Sequence, residues 1–208
     1  MSDPLRILWV AATAAELECS PTPRDGWTTL VSGCGPASAG ARLGFALGRS
    51  PRPDLVVGIG IAGTYPQSGI GVGAVVRIGT ESFADLGCED GAGFVDLLDL
   101  GISDVGVQSH WDLAAPAFLS GLPVARGTTC SVCTGSLETA VDRRRRTGAS
   151  IESMEGAAWA LACGVAGVPF AQVRSISNVA GPRDRPAWRI PQAMAALKRS
   201  LEESCRSI

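Results

Sequence analysis

The chain has 208 residues, 46% of them apolar and 18% charged, with a formal net charge of −2. That balance describes a globular protein with a substantial core and excludes a disordered chain. With no basic face, it also argues against polymeric nucleic acid as a partner.

In chain order, "LRILWVAAT" (5–13) is a continuous apolar run that reads as a strand buried on both faces. It is too short, and too quickly followed by Glu16, to read as a leader peptide. "WTTLVSGC" (27–34) alternates and reads as a second strand, and Pro36 opens a helical spacing over 36–50. "DLVVGIGIAG" (54–63) and "VGAVVRIGTES" (72–82) read as strands, whereas 85–110 is rich in Gly and Asp and gives no clear pattern. The segment 110–121 predicts a short helix interrupted at Pro116, and "PVARGTTCSV" (123–132) predicts a strand. Ser136 caps a helix over 135–148 whose run Arg143–Arg146 reads as a solvated end suited to the helix dipole. "IESM" (151–154) enters a helix that stops at Gly167 before Pro169. "PFAQVRSIS" (169–177) is a buried strand, and 189–204 closes the chain as an amphipathic helix with Ile190, Met194, Leu197 and Leu201 on one face.

This order predicts one α/β domain over residues 1–208, a mixed central sheet flanked by helices. No run approaches the length of a membrane span. Seven scattered cysteines fit reduced thiols in a cytoplasm. Cys130-Ser-Val-Cys133 lacks the helix a redox turn needs, and a single histidine (His110) leaves no metal set, so neither metal nor cofactor is expected.

Gly58-Ile-Gly60-Ile-Ala-Gly63 has dinucleotide-turn spacing but the wrong context. A dinucleotide fingerprint needs its last glycine to open a helix, and Pro66, Gly69, Gly71 and Gly73 forbid one here. Glycines at a strand end instead let a ligand lie against the backbone at Ala62 and Gly63, or simply let two strands pack closely. Glu16 follows the first strand, at the sheet edge where α/β folds gather ligands. Met154 and Glu155 stand at a strand-to-helix junction, where a glutamate serves equally as a cap or as a site residue. Asn178, Arg183, Asp184 and Arg185 occupy the loop after a buried strand.

"MEGAA" (154–158) followed by "VRSISN" (173–178) resembles the nucleoside phosphorylase and nucleosidase superfamily. The segment 58–76 also resembles that superfamily's glycine-rich element, with Ala74 where an aspartate is usual. More narrowly, "RSISNVAGPRDRPAWRIPQAMAAL" (174–197) is similar to the futalosine hydrolases. The resemblance implies cleavage of a purine riboside through a cation-like ribosyl transition state. It makes Glu16 the general base for water and Glu155 the acceptor of the ribose 2′- and 3′-hydroxyls, with Met154 packed on the sugar. Asn178 cannot deliver a proton to purine N7, but its amide can donate to N7 and O6 of a 6-oxopurine. Asp184 or a water is then the proton source, unless Asp184 only pairs with its neighbouring arginines. Arg183 and Arg185 suit a substrate carboxylate. Thr134 and Phe83 are candidate base contacts by loop position. With Gly58 where phosphorylases hold phosphate by an arginine, water is the expected nucleophile. A methylthioadenosine/S-adenosylhomocysteine nucleosidase, a phosphorylase and a catalytically silent nucleoside sensor stand as alternatives. A homo-oligomer is the expected assembly.

Overall fold

A computed structural model describes residues 4–49, 51–91, 93–97, 99–101 and 110–208. Ten strands and five α-helices follow in the order β1 (Ile7–Ala11), α1 (Ala14–Leu17), β2 (Trp27–Val31), α2 (Pro36–Leu47), β3 (Leu55–Thr64), β4 (Val75–Ser82), β5 (Gly87–Asp90), β6 (Gly93–Asp96), β7 (His110–Asp112), β8 (Val124–Thr129), α3 (Leu137–Thr147), β9 (Ile151–Ser153), α4 (Gly156–Ala166), β10 (Phe170–Val179) and α5 (Ile190–Ser204).

The mixed sheet expected from the sequence is present, and it also closes on itself. β3 pairs with β9, β9 with β8, β8 with β4, β4 with β10, and β10 returns to β3. β1 and β2 extend the sheet from β3, and β7 adds to the outside of β4. Alternation along β1 and β3 explains the two helical layers. Leu8, Val10 and Val56 face α2 and α4, where they pack with Leu43, Leu47, Trp159 and Phe170. Ile7, Trp9, Val57 and Ile59 face α5 and meet Leu197 and Leu201.

Three local expectations change. Residues 110–121 form no helix: His110–Asp112 pairs with β4 as an edge strand, and only a 3-10 turn at Ala117–Leu119 follows Pro116, which lacks an N–H to donate. β8 stops at Thr129, because the Asp85 carboxylate takes the N–H groups of Ser131 (2.7 Å) and Val132 (3.4 Å). The four-arginine run is not wholly solvated. Arg143 shares the inner face of α3 with Ala140, three residues earlier, and is buried there. Within 85–110 lies a small hairpin, β5–β6, while 92, 98 and 102–109 fall outside the described residues.

Candidate active site

β1 pairs with β3 as far as Gly58, and β9 takes up the same edge at Gly63. Between them, among the described residues, that edge of β3 has no strand against it. Glu16 fills the place: its Oε1 accepts the N–H of Ile61 at 3.1 Å. The carboxylate is held from its own side by a capping box. Thr13 Oγ1 accepts the Glu16 N–H at 3.2 Å, and Glu16 Oε2 accepts from Thr13 Oγ1 (2.9 Å) and Thr13 N (3.2 Å).

Glu155 reaches the same place from the start of α4. Its Oε1 accepts the Gly35 N–H at 3.3 Å, and its Oε2 pairs with both Nη atoms of Arg174 at 3.4 Å. Arg174, fully buried on β10, also donates to Ile61 O at 3.3 Å and stacks over Trp159. Gly60 marks the meeting point. A Cβ there would lie 2.6 Å from Glu16 Oε1 and 2.7 Å from Arg174 Nη1, so glycine leaves the room in which these two groups close on the strand. Burial raises the Glu155 carboxyl above its usual range; Arg174 and the Gly35 N–H oppose the shift, and the negative charge of Glu16 adds to it. The two glutamates therefore sense each other across one buried cation.

Asn178 closes the far end of β10 against Gly63, where a Cβ would approach its Nδ2 to 3.3 Å. Its Oδ1 accepts from Ser177 Oγ at 2.8 Å, which fixes the amide so that Nδ2 donates, here to Val179 O at 3.1 Å. Ala62 and Gly63 are held in the ladder with Ile176, Asn178 and Glu152. The β3 amide engaged at the open edge belongs to Ile61. Met154 lies beside Cys133, their sulfurs 3.3 Å apart. Burial pushes the Cys133 thiol up, with the charge of Glu152 adding to the shift and that of Arg183 opposing it. Arg183 is exposed and lies over the Trp188 ring.

The remaining sequence candidates lie elsewhere. Thr134 is buried and tied up: its N–H and hydroxyl go to Glu152, and its oxygen accepts from Arg143 Nη1 at 3.0 Å. Arg143 also donates to Val132 O at 2.7 Å and ion-pairs with Glu152 (3.8 Å) and Asp85 (3.7 Å). Thr134 thus holds the loop 130–134 and does not present its side chain to a ligand. Phe83 packs edge-on against Trp111 and lines a cleft between α2 and α4. Asp184 and Arg185 are exposed, and among the described residues no side-chain bond joins them to the glutamates or to Asn178.

Sequence reasoning missed the roles of Arg174, Thr13 and Gly35. Two of them left a signal: "TAAE" (13–16) is a capping box, and an arginine inside "FAQVRSIS" demands a buried anion. An arginine has no room at position 58, since even a Cβ there would lie 2.8 Å from the Trp159 ring and 3.0 Å from Phe170.

Comparison with known proteins gives one consistent picture. The family model described as phosphorylase superfamily matches residues 26–207. The chain is 40% identical to the futalosine hydrolase of Streptomyces coelicolor over 184 residues, 83% of this chain and 76% of that one. It is 35% identical to the futalosine hydrolase of Thermus thermophilus, covering 85% and 80%. Among solved structures, the methylthioadenosine/S-adenosylhomocysteine nucleosidase of Neisseria meningitidis bound to methylthio-immucillin-A superposes with a TM-score of 0.78 at 17% identity, over 98% and 99% of the two chains. A futalosine hydrolase mutant of Helicobacter pylori gives 0.77 at 15% identity, over 99% and 100%.

Proposed function

Because the chain belongs to the phosphorylase superfamily and, within it, to the futalosine hydrolases, we propose that it hydrolyses the N-glycosidic bond of futalosine, releasing hypoxanthine and dehypoxanthine futalosine in menaquinone biosynthesis. It is an N-glycosyl hydrolase built as one nucleosidase domain. The observation that carries the site is that Glu16 and Arg174 meet at Gly60 while Arg174 pairs with Glu155. Ribose sits at the open edge of β3. Glu155 accepts hydrogen bonds from its 2′- and 3′-hydroxyls, with Met154 against the sugar. Glu16 takes a proton from water as the oxygen attacks C1′, and the bond to N9 breaks with its electron pair leaving on the base. The Asn178 amide donates to the N7/O6 edge, and the proton that neutralises hypoxanthine comes from water, since Asp184 stands exposed in its loop.

Water is the nucleophile because Arg174 is committed to Glu155 and is not free to hold a phosphate dianion. The structural likeness to methylthioadenosine/S-adenosylhomocysteine nucleosidases carries the fold alone, whereas the relatives at 35–40% identity are futalosine hydrolases. Arg183 and Arg185, both exposed in the loop after β10, meet the carboxylate of the substrate's benzoate end in this reading. The enzyme works in the cytoplasm as a homo-oligomer, paired through the apolar cleft of about 620 Å³ between α2 and α4. Purified protein incubated with futalosine in phosphate-free buffer should release hypoxanthine. Release that requires phosphate, or faster cleavage of methylthioadenosine, overturns the reading.

A further inference from the structure

Glu81 takes no part in that reaction, yet it is a carboxyl only 1% exposed, at the end of β4 beneath the first turn of α4. Gln172 Nε2 donates to its Oε2 at 2.8 Å, and Thr129 Oγ1 donates to its Oε1 at 3.2 Å. The Thr129 oxygen in turn accepts the N–H of Ala157 at 2.8 Å, two residues beyond Glu155. Two positions along β10 from Gln172, and so on the same face, stands Arg174, the partner of Glu155.

The backbone is shaped around this group. At Gly79 the register with β8 slips: Ile78 pairs with Ala125 and Thr80 with Arg126. The extra residue turns Glu81 to the side of Ile78, and a Cβ on Gly127 would touch both. That Cβ would lie 2.6 Å from Glu81 Oε2, and one on Gly156 would lie 2.5 Å from it. Burying a carboxyl is costly, and an apolar side chain would fill the same space without that cost. A bulge and two glycines admit the carboxyl instead.

We infer that Glu81 is a positioning residue for the reaction: through Thr129 it fixes the entry of α4, and by sharing Arg174 with Glu155 it sets how strongly the Glu155 carboxylate meets the ribose. This rests on Glu155 being the ribose acceptor. Ionised Glu81 draws on the field of Arg174 and leaves Glu155 the stronger hydrogen-bond acceptor. Protonated Glu81 leaves that cation to Glu155, and its O–H can donate to Gln172 Oε1, a buried acceptor with no partner among the described residues. Burial pushes the Glu81 carboxyl up to about 7, against the pull of Gln172 and Arg174, so both forms are populated near neutrality. Arg174 is the charge that faces it from β10. β8 presents Thr129 and Gly127, α4 presents Gly156 and Ala157, and β7 presents Trp111, with His110 and Asp112 on the alternate face.

The test is the pH dependence of kcat and KM for futalosine in the wild type, Glu81→Gln and Thr129→Val. Wild-type kcat should climb through pH 7. Glu81→Gln should lack that step and sit about tenfold or more below the wild-type plateau, a loss of the size expected for a displaced catalytic group. Thr129→Val should keep the step and raise KM. A Glu81→Gln enzyme with the wild-type profile and rate overturns the inference; if that variant does not fold, unchanged kcat and KM in Thr129→Val does so. Should the wild type cleave a different purine riboside and leave futalosine intact, the substrate reading falls, and the same comparison on that riboside decides the role of Glu81.

Discussion

At the scale of single residues, the roles proposed for Glu16 and Glu155 differ, so the two should fail differently. Glu16→Gln keeps the bond from Ile61 but cannot take a proton, so kcat should drop by about 10²–10⁴ with KM little changed in steady-state assays. Glu155→Gln still meets the Gly35 N–H but loses its charge beside Arg174, so both kcat and KM should suffer. Asn178→Asp would set a carboxylate against N7 and O6, and hypoxanthine release should slow far more than adenine release when futalosine and methylthioadenosine are compared. Glu81 carries a stability signature of its own. Its folded carboxyl sits at about 7, above the 4.5 of the free group. The folded chain therefore keeps a proton that the unfolded chain has released. Its contribution to stability is full below pH 4.5 and lost as pH rises through 7. Melting temperatures at pH 5 and pH 8 should differ more in the wild type than in Glu81→Gln; equal differences would contradict this.

At the scale of elements, α1 is four residues long and exists through its cap, since a helix of one turn has no stability of its own. Thr13→Ala should cost about 1 kcal/mol of stability, yet reduce kcat well beyond what that loss explains, because the same hydroxyl orients Glu16. The comparison needs only a melting curve and a rate. The glycine strand shows what was legible in advance and what was not. Its buried run named β3, and the proline and glycines beyond it excluded a dinucleotide turn; in the structure all three motif glycines lie inside the strand. The reason for Gly60 was invisible, because it depends on Glu16 and Arg174 arriving from 44 and 114 residues away. Thr134 was misjudged for the same cause: its partner Glu152 and the buried Arg143 come from β9 and α3. Likewise, nothing local marks Glu81 as turned inward, since the bulge at Gly79 is defined only by pairing with β8. Periodicity reports which face is buried, and not which distant polar groups meet there.

At the scale of the whole molecule, β3 bears most of the architecture, flanked by β1, β9 and β10 and covered by helices on both faces. Leu197→Ala or Leu201→Ala, each fully buried on α5 against β3, should cost about 2–5 kcal/mol in chemical denaturation. The second face leaves apolar groups in water: Val165 is 83% exposed and Phe45 71% exposed, beside the cleft lined by Leu47 and Leu161. Pairing of two copies through this face predicts a wild type that sediments as a dimer and a Val165→Glu variant that sediments as a monomer in analytical ultracentrifugation. A wild type that sediments as a monomer refutes pairing through this face.

The break in pairing along β3 between Gly58 and Gly63 has a mechanical corollary. Both ends of the break are clamped by neighbouring strands, and its opposite edge pairs with β10 from Gly58 to Gly63 with one bulge between Ile176 and Asn178, so this stretch of backbone is held from both sides and offers a ligand a surface that does not adapt to it.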